Sequence, residues 1–188
     1  MPISENSGDT CNDCLSRRHY SYRSTSAFIY TDNAKRVIIN YKNYKNISYA
    51  KVLSKYMSAM VKDDFKGVNF DMVLSVPPRF KALNSDSFDQ AGNLASVLAK
   101  RLELKYVSGV LVRCKNIKKQ SSLGYKERLK NVEGAFKVKS PSKVIGKTIL
   151  LADDVRTTGA TLEECSKVLK QAGAYRVYCV TAATTIKA

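Results

Sequence analysis

The chain has 188 residues, 44% of them apolar, which suffices for one good core and falls short of two. No apolar run approaches the roughly 18 to 20 residues that cross a bilayer, and the amino-terminal MPISENSGDT is polar with acidic residues, so neither membrane insertion nor secretion is expected. Thirty-two Lys and Arg against 16 Asp and Glu give +16, and five scattered cysteines, an odd count, suit a reduced cytoplasmic compartment.

Residues 1–24 read as a small appendage: a CxxC at Cys11 and Cys14, then a basic patch of Arg17, Arg18, His19 and Arg23. The main domain follows over 25–188. A short strand is predicted from Ala27 to Tyr30, a helix capped by Asn33 through Lys42, and another capped by Ser48 through Val61. Tyr41-Lys42, Tyr44-Lys45, Tyr49, Lys51 and Tyr56 interleave aromatic and basic residues there, as either a nucleic-acid face or ordinary helix packing would. Met72 to Val76 is an apolar run stopped by Pro77 and Pro78, the pattern of a buried strand entering a turn. From Gln90 to Leu104 apolar residues recur every three or four positions, which predicts an amphipathic helix.

Val107 to Val112 reads as a strand, Arg113 to Gly124 as a mobile basic stretch, and Lys126 to Asn131 as a short helix. Charge concentrates here: from Lys105 to Lys147 twelve basic residues face two acidic ones, a net of +10, leaving +6 for the other 145 residues. Such a cluster is either a solvated lysine-rich face or the footprint of an anionic partner, nucleic acid or pyrophosphate. Thr148 to Ala152 is a predicted strand, Asp153 to Gly159 a loop, Thr161 to Ala172 a helix closed by Gly173, and Arg176 to Ala182 a final strand. Strands alternating with amphipathic helices predict an α/β fold, a mostly parallel sheet covered on both faces.

In such a sheet ligands sit beyond the carboxyl ends of strands, so the polar run after Ala152 is where chemistry belongs. Asp153 and Asp154 precede Val155, Arg156, Thr157, Thr158, Gly159, Ala160 and Thr161, a set of hydroxyls around one glycine at a helix start. Backbone N–H groups at a helix amino end attract phosphate, Gly159 permits close approach, and the carboxylates can hold sugar hydroxyls directly or through magnesium. The parts suit a phosphorylated ribose.

The segment LLADDVRTTGAT closely resembles the signature of type I phosphoribosyltransferases. That resemblance implies paired acids on the ribose hydroxyls and a threonine–glycine loop on the 5′-phosphate of phosphoribosyl pyrophosphate. Ser75-Val76-Pro77-Pro78-Arg79, Phe88-Asp89-Gln90-Ala91, Gln120-Ser121-Ser122-Leu123, Glu127-Arg128, Asn131-Val132 and Gly134-Ala135-Phe136 narrow it: together they resemble the ComF family of competence proteins. The likeness runs from about residue 11 to 184 and implies a phosphoribosyltransferase-like domain preceded by a zinc ribbon, serving natural transformation and the handling of incoming single-stranded DNA. By position it makes Val76, Pro77, Pro78 and Arg79 the pyrophosphate-side loop. Arg113, Lys115, Lys118, Lys119, Lys126 and Arg128 then belong to a mobile hood that closes over an anion.

The family's ribbon uses two CxxC pairs and this chain carries one, so zinc at Cys11 and Cys14 would need ligands from His19, a second chain or residues upstream. Lys81 to Asp86, strongly basic in the family, reads KALNSD here. The resemblance implies a ComF-like protein that binds phosphoribosyl pyrophosphate with magnesium, handles single-stranded DNA without sequence preference, and meets uptake-machinery proteins or copies of itself. The rival is a nucleobase phosphoribosyltransferase of salvage type.

Overall fold

In the computed structural model the described residues are 19–44, 47–78, 89–115 and 130–185. Strand β1 (Arg23–Ile29) leads into helices α1 (Asp32–Tyr44) and α2 (Ile47–Asp64); β2 (Met72–Ser75) precedes α3 (Gln90–Arg101). Then come β3 (Leu111–Arg113), β4 (Phe136–Val138), β5 (Thr148–Arg156), α4 (Ala160–Gln171) and β6 (Arg176–Thr184). The main sheet has the order β1-β6-β5-β2, every neighbouring pair parallel, and β3 pairs antiparallel with β4. The expected α/β fold is therefore present.

Period-2 alternation along β5 builds the two layers. Leu150 and Ala152 face α1, α2 and α3, packing with Tyr41, Leu53, Leu94 and Leu98; Ile149 and Leu151 face α4, packing with Cys165, Leu169 and Phe136. Ile149, Leu150, Leu151 and Leu169 are all fully buried. Each such side chain contributes about 1.5–3 kcal/mol relative to exposure, which explains why β5 sits centrally.

Several boundaries differ from expectation: Asn33 and Ser48, expected as caps, lie inside α1 and α2. β1 starts at Arg23, inside the segment read as appendage, because Tyr22 N–H already bonds the Val177 carbonyl at 2.7 Å. The run at 107–112 does not make one strand: Tyr106 bridges Val73, Gly109 takes φ +71, and only Leu111 onward pairs again. β4 escaped notice because three residues are too few to display a period. β5 continues through Arg156, four residues into the predicted loop, because β6 keeps pairing with it as far as Thr184. Of the helix expected over Lys126–Asn131, residues 130–132 are helical and the earlier part lies outside the described residues. Among the described residues no helix is long and apolar enough to cross a membrane.

Candidate phosphate-binding site

At the carboxyl end of β5 the chain turns over Thr157, Thr158 and Gly159 and enters α4. Gly159 is the N-cap at φ 75, ψ −5, a left-handed conformation that costs a side-chain-bearing residue about 1–2 kcal/mol. Having no side chain, it leaves the amino end of α4 open, where backbone N–H groups and the helix dipole both favour an anion. Thr158 Oγ1 lies 3.4 Å from the Ala160 N–H. Thr185 holds the turn from behind, donating its N–H to the Arg156 carbonyl at 2.9 Å and its hydroxyl to the Thr157 carbonyl at 3.3 Å. The result is a shallow depression of about 20 Å³ lined by Asp153 and by Val155 through Leu162.

The paired acids are separated by the strand that carries them. Asp154 does not line the depression; it points to the α1 layer, where Lys42 Nζ sits 2.6 Å from its Oδ2. Asp153 remains with the turn, and its Oδ1 accepts the Asp154 N–H at 2.8 Å. Burial, then the charge of Asp154, push the Asp153 carboxyl up to about 8; Lys42 and Arg113 pull the other way. Among the described residues no group of three or more His, Cys, Asp or Glu could cage a metal. Asp154, already drawing a cation, nonetheless fits magnesium, which is commonly held by one or two carboxylates plus the phosphates of its ligand, whereas Asp153 faces the other layer and holds its proton.

The remaining expected residues fall at varied distances from this depression. Val76 and Pro77 are buried and Pro78 half-buried at the end of β2. Arg113 is committed to structure rather than to a mobile hood. Its guanidinium donates to the carbonyls of Pro78 (3.1 Å) and Pro77 (3.2 Å) and lies 4.9 Å from the Phe136 ring centre. Lys115 reaches the Glu133 carbonyl at 3.3 Å. Arg156 turns along the sheet edge, its guanidinium bonding Ser24 and Thr184. Arg79, Lys118, Lys119, Lys126, Arg128, Cys11 and Cys14 lie outside the described residues. His19, weighed as a zinc ligand, faces Glu163 at 3.4 Å. On the tyrosine–lysine face of α1 and α2, Tyr41 is fully buried with its hydroxyl on the Gln90 carbonyl at 2.7 Å, whereas Tyr56 is 47% exposed. Sequence reasoning missed Lys42 and Thr185 as parts of the site, since nothing local ties either to the Asp153–Thr161 run.

Residues 83–187, more than half of the chain, match the phosphoribosyl transferase domain family. The chain belongs to that family. Its relatives include proteins named for competence and for DNA utilization. Competence protein F of Haemophilus influenzae is 33% identical over 87 residues, 46% of this chain and 38% of that protein. The DNA utilization protein YhgH of Escherichia coli is 25% identical over 175 residues, 90% of this chain and 76% of that protein. A solved adenine phosphoribosyltransferase, 14% identical, superposes with a TM-score of 0.50 over 77% of this chain and 74% of its own, a likeness of fold.

Proposed function

We propose that this ComF-like chain binds phosphoribosyl pyrophosphate with magnesium at the Asp153–Thr161 site and acts in the cytoplasm in natural transformation, handling incoming single-stranded DNA. The observation that carries the first half is the open amino end of α4. Gly159 at φ 75 bares it, Thr157 and Thr158 flank it, and Asp153 lines the same depression. A 5′-phosphate would sit on the turn's N–H groups and hydroxyls, with Asp153 beside the ribose hydroxyls. Asp154 would join once Lys42 gives way. Magnesium, where bound, would neutralise the pyrophosphate, held by Asp154 and the ligand's own oxygens. Support for the second half is the resemblance to proteins named for competence and for DNA utilization.

Calorimetry with phosphoribosyl pyrophosphate and magnesium tests the site. The wild type should bind and Gly159→Val should not, because a β-branched residue cannot take that φ without strain. Equal heats from both proteins, or none from the wild type, would refute it. Steady pyrophosphate release that requires one particular nucleobase and is lost in Asp154→Asn would make the chain a salvage transferase instead.

A further inference from the structure

The residues leading into β1 grip the phosphate-binding turn from both ends. Beyond the turn, Glu163 of α4 accepts the Tyr20 N–H at 2.9 Å and the Ser21 hydroxyl, with His19 3.4 Å away. Ahead of the turn, the Arg156 guanidinium donates to the Ser24 hydroxyl and, at 3.3 Å, to Thr184 Oγ1. The Arg156 methylenes lie 3.9 and 4.0 Å from where a Cβ on Gly159 would stand, so a shift of this side chain is felt at the glycine. Between the two grips Tyr22 is fixed by its N–H on the Val177 carbonyl at 2.7 Å and by its ring, 5.2 Å from that of buried Tyr178. The bonds to Glu163 and Arg156 span 132 to 143 residues of sequence, so they are tertiary contacts that local geometry does not impose.

We propose that residues 19–24 are a strap whose docking sets the geometry of the phosphate-binding turn, so that release of the strap lowers affinity for the ligand held there. The inference rests on the phosphoribosyl pyrophosphate reading of the site and adds its regulation. A turn fixed at both ends has its N–H groups aimed before the anion arrives, and binding then costs less conformational entropy. The strap is also easy to release. Ser24 is exposed and Tyr20 and Ser21 are half-buried, so water competes for their bonds, and β1 keeps its pairing with β6 from Thr25 to Ile29 when they part. By linkage, an anion that prefers the fixed turn must tighten the strap in return. Electrostatics alone predicts the opposite for Glu163: a carboxylate in the first turn of α4 repels an anion at the helix's amino end, so its removal should strengthen binding. The two accounts differ in sign at one residue.

The test uses the full chain with Glu163→Gln, Glu163→Ala and Ser24→Ala, melting temperatures serving as the check on folding. Glu163→Gln removes the charge but keeps an oxygen for the Tyr20 N–H and an amide N–H for the Ser21 oxygen. In calorimetry with phosphoribosyl pyrophosphate and magnesium it should bind at least as tightly as the wild type. Glu163→Ala and Ser24→Ala should each bind about fivefold more weakly, the lower end of the usual range for coupled sites. A second arm needs no ligand: NMR order parameters of the amides from Thr157 to Glu163 should fall in Glu163→Ala and Ser24→Ala and hold in Glu163→Gln. Adding the ligand to the wild type should slow hydrogen exchange at Tyr20 and Tyr22. Equal or tighter binding by Glu163→Ala, tighter binding by Ser24→Ala as a freed Arg156 reaching the anion would give, or unchanged order parameters in both would each overturn the strap. No binding by the wild type would refute the phosphoribosyl pyrophosphate reading, and the ligand-free order parameters would still decide whether the strap shapes the turn.

Discussion

Asp153 and Asp154 are neighbours in sequence and strangers in environment, because consecutive residues of a strand face opposite layers. The Asp153 carboxyl keeps its proton up to about 8, whereas in an unfolded chain it would lose it in the ordinary carboxylate range. Between those limits the unfolded chain has released a proton that the folded chain retains. Stability without ligand should therefore fall as pH rises through this window and level off above about 8. Thermal melts at a series of pH values should show this slope in the wild type and a flatter one in Asp153→Asn; identical slopes would mean the carboxyl is not protonated. Lys42 is the counterpart on the other side. Its 2.6 Å pairing with Asp154 is partly open to solvent on the lysine side, so it competes with a metal only modestly. Lys42→Met should tighten binding of magnesium alone by up to about fivefold in calorimetry, the equivalent of about 1 kcal/mol.

At the level of elements, the first turn of α4 does two jobs. One side opens on the anion site, and on the other Glu163 accepts from the Tyr20 N–H at 2.9 Å and from the Ser21 hydroxyl, with His19 alongside. The segment read as the end of a detached appendage is thereby tied to the helix behind the phosphate-binding turn. Glu163→Ala should cost about 1–2 kcal/mol and abolish hydrogen-exchange protection of the Tyr20 amide, leaving β6 as slow as before. Unchanged protection at Tyr20 would place the anchor elsewhere. Elements announced by strong local signals were legible in the sequence: β2 by an apolar run halted at Pro77, α3 by its three-and-four spacing, α4 by Gly159 before it and Gly173 after it. Those settled by a distant partner were not. The last residues of β5 look like a polar loop and are strand only because β6 runs beside them.

For the whole molecule, the layer arrangement and the placement of the turn at a strand's carboxyl end followed from alternation of strand and helix, so the position of the site was legible before its contents. What sequence could not supply was chemistry assembled across the chain: Lys42 meeting Asp154 from α1, Arg113 spent on the Pro77 and Pro78 carbonyls, and tyrosines just ahead of β1 and β6 brought under one guanidinium. Charge counting located an excess but could not divide it, since cations that hold up backbone and cations that meet solvent score alike. The bonds from Thr185 to the carbonyls of Arg156 and Thr157 carry a practical corollary. They make the exit of β6 a latch on the phosphate-binding turn, so a fusion tag attached close behind Thr185 would pull on the binding loop through the shortest of levers. Tags and linkers for this protein belong well clear of that latch.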